Sequence, residues 1–124
     1  MNKEIKERWV AKLRSGDCLQ GKEYLKHDCN GETRYCCLGV LTELYAQEHG
    51  IKFTGIGDEL KFGGGDELIC KAVQIWAGLE SNNPGVIFRS NTDSILTNKY
   101  RELSYINDDG SSFAEIADMI EASL

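Results

Sequence analysis

An Asn-Gly dipeptide at 30–31 separates two short runs, KEYLK and TRYCC, and a helical period begins directly after the second. Asn-Gly suits the positive-φ positions of a two-residue hairpin turn, so residues 20–37 are predicted to form a β-hairpin. Leu38, Leu41, Leu44 and Tyr45 then recur on one helical face, and His49 and Gly50 supply a C-terminal dipole partner and a stop. A hairpin running straight into a helix places the chain among α+β folds.

The rest of the chain is punctuated in the same way. Ile5, Trp9, Val10 and Leu13 mark the inner face of a helix over 3–15, closed by Gly16. Residues 51–65 hold five glycines and predict a loop or a marginal strand pair. Asp66 reads as the N-cap of a third helix over 66–79, with Ile69, Ala72, Val73 and Trp76 on one face and Gly78 as terminator. Asn82-Asn83-Pro84-Gly85 makes a turn, residues 86–89 are a short strand candidate, and residues 90–110 read as loops with room for one short helix. Ser112 and Glu115 have capping-box spacing, and Phe113, Ile116, Ala117, Ile120 and Leu124 form the apolar face of a closing helix. The expected fold is a single α+β domain over 1–124, a small antiparallel sheet packed with about four helices.

Hydrophobic residues at 41% allow a core, and the net charge of −6 disfavours non-specific binding to a nucleic acid backbone. No run approaches the roughly 18 apolar residues of a membrane span, and the charged N-terminus lacks a signal-peptide apolar region, so a cytosolic location is expected. Five cysteines without an export signal predict reduced, structural thiols. Residues 1–62 carry ten basic and ten acidic side chains, whereas residues 63–124 carry four and ten. Lys71, Arg89, Lys99 and Arg101 are thus the only cations in the acidic half. The apolar positions Trp9, Tyr45, Trp76 and the closing helix exceed what one small sheet can cover, which predicts a homo-oligomer.

Few residue sets suggest chemistry. Cys36 and Cys37 are adjacent, no Cys-x-x-Cys pair exists, and on a strand the two would point to opposite faces, so no metal is expected. His27 reads as a hairpin surface residue and His49 as a helix-end residue, and neither places a base beside an activated thiol. Gly63-Gly64-Gly65 before Asp66 resembles a phosphate loop only loosely, because two acids stand where the anion would bind. Asn107-Asp108-Asp109-Gly110 reads first as turn chemistry, with ribose binding as the alternative. The segment 86–101 is richer, combining Phe88, Arg89, Asn91, Thr92 and Arg101. An aromatic ring can stack on a base, arginine can fork onto phosphate oxygens, and Asn or Asp can take ribose hydroxyls or base edges. The plainer alternative makes Phe88 and Tyr100 core anchors and pairs the arginines with nearby acids such as Asp93 and Glu102.

The blocks at 1–16, Gln20-Gly21, YCCLGVLTELYAQEHG at 35–50, WAGLESNNP at 76–84 and INDDGSSFAEIADMIEASL at 106–124 resemble, in this order, a family of small phage-encoded proteins. Within that group the length and plan are similar to Thoeris anti-defence proteins, which sequester cyclic ADP-ribose isomers without cleaving them. The resemblance implies a non-enzymatic sponge in the host cytoplasm that needs no cofactor. It implies a dimer or hexamer with pockets shared between subunits, and some relatives that bind cyclic oligonucleotides at a separate site. Phe88, Arg89, Asn91, Thr92 and Arg101 are the expected ligand-binding residues, with no catalytic or metal-binding residue. The rival expectations are a small phage protein that inhibits a host protein, and a cyclic-nucleotide hydrolase.

Overall fold

The computed structural model describes residues 1–92 and 95–124, with the side chains of 58 and 89–98 outside the description. Helix α1 spans Lys3–Ser15; the Asn2 carboxamide accepts from Ile5 N at 3.0 Å, and Gly16 closes the helix at φ 79°. Its predicted face is buried, and Trp9 is fully enclosed. Strands β1 (Leu19–Gln20), β2 (Lys26–Cys29) and β3 (Glu32–Tyr35) form a three-stranded sheet in the order β1-β3-β2. The β2–β3 pair is the predicted hairpin, with Cys29 opposite Glu32 and Asn30 at φ 53° and Gly31 at φ 80° in the turn. Only Lys26 of the KEYLK run pairs. The parallel β1–β3 pair makes this sheet mixed.

Helix α2 spans Cys37–His49 and ends at Gly50, φ 66°, whose N–H donates to Ala46 O. Cys36 and Cys37 are therefore not strand neighbours on opposite faces: Cys36 is the N-cap, Cys37 the first helical residue, and both are buried. Residues 51–65 hold two isolated bridges, Thr54 with Lys61 and Phe62 with Gly65, around a 3₁₀ turn at Gly57–Glu59, in line with a marginal strand pair. The third helix is shorter than its sequence suggests. Helix α3 spans Lys71–Ala77 and is capped by Cys70, not by Asp66. The Asp66 carbonyl, which would accept from Cys70 N in a helix starting there, accepts from Leu25 N at 2.7 Å, and Ile69 is buried ahead of α3. Ala72 faces solvent, and Ala77 takes its place in the core.

The largest departure concerns residues 90–110. Strands β4 (Gly85–Thr92) and β5 (Ile95–Glu102) pair antiparallel from Gly85 with Glu102 to Thr92 with Ile95, and helix α4 follows at Leu103–Asp108. Polar, turn-forming side chains concealed this hairpin, because strand preference depends on pairing and burial more than on residue type. Helix α5 spans Phe113–Ser123 and packs on α1. The class is α+β as expected, with five α-helices and two small sheets among the described residues. One cluster of buried apolar side chains runs from Ile5 to Ile120. Trp9 and the apolar face of α5 are covered within one chain, while Tyr45 and Trp76 are half-buried in edge-to-face contact at 5.3 Å. Oligomerisation therefore finds no support in uncovered apolar surface at these positions. Among the described residues no helix is long and apolar enough to cross a membrane.

The capping box at α5 is complete: Glu115 N donates to Ser112 Oγ at 3.1 Å, and Ser112 N to Glu115 Oε1 at 3.0 Å. Ser112→Ala is expected to cost about 1 kcal/mol in urea denaturation. The bond from the Ser112 backbone holds the Glu115 carboxyl below its ordinary range. A lowered folded pKa gives stability that is present above the unfolded carboxyl range and is lost as the pH falls through the folded value. Ser112→Ala keeps that backbone N–H but removes the Ser112 hydroxyl, the second group that lowers this carboxyl, so the part of the cost that comes from the hydroxyl should shrink in acid, and a pH-independent difference would contradict this account.

Candidate functional site

The sequence-derived binding residues fall on β4 and β5. Phe88 is half-buried and packs against the core, as an anchor does. Arg101 forms an ion pair with Asp109, the C-cap of α4, in place of the nearer Glu102. The backbones of Arg89, Asn91 and Thr92 lie in β4 opposite Asn98, Leu96 and Ile95, but the side chains of all three lie outside the described residues, as does Asp93 altogether. Directly opposite on the two strands, Ile87 and Tyr100 are 57% and 67% exposed, and the Tyr100 ring covers the backbone of Gly85.

Asn107 and Asp108 are engaged internally. The Asn107 carboxamide is fully buried; its oxygen accepts from Cys37 N and Gln20 Nε2, each at 3.1 Å, and its nitrogen donates to Gly21 O at 2.8 Å. Asp108 accepts from Glu23 N at 2.9 Å. Asn107 and Asp108 thus end α4 instead of forming the expected turn, and Asp109, its C-cap, is paired to Arg101. Gly63–Gly65 form a tight turn across the Phe62–Gly65 bridge, and no helix starts at Asp66.

A concavity with charged and aromatic lining lies elsewhere, between β2, the C-terminal half of α2 and the segment 51–60. It is a cleft of about 450 Å³. Lys26 and Asp28 come from β2, Glu43 and Gln47 from α2, and Lys52 and Phe53 from the segment after the Gly50 cap, over an apolar floor of Ala46 and Leu60. Helical spacing sets Glu43, Ala46, Gln47 and Gly50 on one side of α2, and strand alternation sets Lys26 and Asp28 on one side of β2. Lys26 Nζ sits 3.7 Å from the Glu43 carboxylate, 5.0 Å from the centre of the Phe53 ring and 5.5 Å from that of Tyr35. Burial, then Glu43, pushes the Tyr35 hydroxyl up, so that it stays protonated at neutral pH. The Asp28 carboxylate accepts from Thr33 Oγ1 at 2.7 Å. An aromatic ring, two ammonium groups, two carboxylates and a carboxamide thus converge on a volume typical of small-molecule sites. Sequence reasoning missed this set because its members come from three separated segments, each of which reads locally as hairpin, helix or loop.

A family model described as a domain of unknown function, DUF8296, matches residues 1–124. The chain belongs to the DUF8296 family. No curated protein and no solved structure matches it.

In this DUF8296 chain the Cys-Cys-Leu-Gly-Val-Leu string at 36–41 has a structural explanation. Cys36 and Cys37 begin α2, Cys37 O accepts from Trp9 Nε1 at 2.9 Å, and Gly39 lies flat against the Leu25 carbonyl. Burial pushes the Cys36 thiol up to about 11 and the Cys37 thiol well above its ordinary value, so both stay protonated and unreactive. All five cysteines are free. Labelling with a disulfide reagent near neutral pH is expected to reach exposed Cys29 at once, and Cys36 and Cys37 only with unfolding. Prompt reaction of either buried thiol in the folded protein would contradict this.

Proposed function

We propose that this protein binds a small nucleotide of the cyclic ADP-ribose class and sequesters it without cleavage, as the resemblance to Thoeris anti-defence proteins implies. The observation that carries the reading is the cleft beside Phe53, which combines a ring for an adenine with cations for a pyrophosphate and acids for ribose hydroxyls. The half-exposed Arg101 and the β4 residues Arg89, Asn91 and Thr92 beside Phe88 are the other location. On this reading the protein works in the host cytoplasm, as a homo-oligomer, and uses no cofactor.

Heating the purified protein and identifying released small molecules by mass spectrometry tests sequestration directly, since intact nucleotide is expected and hydrolysis products would indicate an enzyme. Calorimetric titration of cyclic ADP-ribose isomers then locates the site. Phe53→Ala should weaken binding by about tenfold or more, from lost stacking of roughly 1 to 3 kcal/mol. If Arg101→Ala weakens it and Phe53→Ala does not, the ligand lies on β4–β5. The exposed Ile87 and Tyr100 favour the second reading, a protein partner, and capture of a host protein with no nucleotide bound would establish it.

A further inference from the structure

The two lysines of the cleft stand in different surroundings. Lys26 and Glu43 form the least exposed ion pair among the described residues, with side chains 22% and 18% exposed. Two ring faces and a carboxylate therefore already surround the Lys26 ammonium, which satisfies much of its charge. Lys52 is exposed and forms no ion pair among the described residues. It stands two residues beyond the Gly50 cap and next to Phe53. Asp28 adds a second carboxylate to the lining, so the charged side chains there sum to zero, and the carbonyl end of α2 adds partial negative charge.

We propose that Lys52 alone receives the ligand's anion, while Lys26 and Glu43 act as a neutral pair that positions Phe53, so that the cleft favours phosphodiesters over terminal phosphates. The proposal rests on the nucleotide reading of the cleft. A terminal phosphate carries between one and two negative charges near neutral pH, and each added charge must face Asp28, Glu43 and the helix end. A diester brings one charge per phosphorus.

The test is calorimetric titration of the full-length protein with cyclic ADP-ribose, ADP and ATP at several salt concentrations. For the unaltered protein we expect affinity to fall in that order, by about tenfold or more from first to last. Lys52→Ala should weaken cyclic ADP-ribose binding by about tenfold and remove most of its salt dependence. The double variant Lys26→Met with Glu43→Gln deletes the pair that positions Phe53 without leaving either charge alone, and should weaken cyclic ADP-ribose binding while leaving its salt dependence intact. ATP binding as tightly as cyclic ADP-ribose would overturn the proposal and leave nucleotide binding standing, as would loss of salt dependence in the double variant and not in Lys52→Ala. No binding of any of the three ligands would overturn the nucleotide reading, and this inference with it. If the double variant does not fold, the ligand ranking and Lys52→Ala decide the question.

Discussion

Gly39→Ala is expected to cost about 3 kcal/mol or more and to lower the melting temperature by about 10 °C. A Cβ on Gly39 would lie on top of the Leu25 carbonyl oxygen and within overlap of its carbon, and both are backbone atoms. Leu25 cannot retreat easily, since its side chain is fully buried and its N–H is bonded to Asp66 O. Relief therefore requires α2 to move off the segment leading into β2, which opens the core around Leu38 and Leu41. Gly64→Ala is the control: its φ of 87° strains an alanine, but nothing lies within 4 Å of the added carbon. That change should cost only about 1 kcal/mol. Urea denaturation of both variants checks the contrast, and equal costs would show that the close approach of α2 is not what requires glycine at 39.

Asn107→Leu should cost about 3 to 5 kcal/mol, because it strips partners from two buried backbone groups and a half-buried carboxamide at once. Cys37 N–H, in the first turn of α2, has the Asn107 oxygen as its acceptor, and the Cys36 side chain offers no cap. Gly21 O loses its donor, and Gln20 Nε2 keeps only Ser111 O. The same Gln20 side chain accepts from Phe113 N at 3.1 Å, so one small network joins β1 and the starts of α2 and α5. The two side chains should be coupled: the effects of Asn107→Leu and Gln20→Leu are expected to sum to more than the effect of the double variant. A double-mutant cycle by urea denaturation measures this, and additivity within about 0.5 kcal/mol would mean that they act independently.

Three local signals in the sequence are enough to place both terminal helices and the first hairpin. Trp9 and its neighbours, the Asn30-Gly31 turn, and the Ser112–Glu115 spacing each carry their own stop or cap within a few residues, so α1, the β2–β3 hairpin and α5 are legible without knowing what they pack against. The third helix and the β4–β5 hairpin are not. Asp66 is a good N-cap in isolation, but its carbonyl belongs to Leu25, forty-one residues earlier. The residues of β5 look like loop until β4 supplies the backbone partners that make them a strand.

The same division separates the candidate sites. Phe88, Arg89, Asn91, Thr92 and Arg101 were conspicuous because they are neighbours in sequence, and proximity along the chain is the one kind a sequence displays. Lys26, Glu43 and Phe53 meet only after β2 has packed beside α2 and the chain has turned back at Gly50. Composition and period therefore determined the class and the buried faces of α1 and α5. Which polar side chains converge was decided by tertiary packing alone, because the contacts that bring them together span tens of residues and leave no periodic trace.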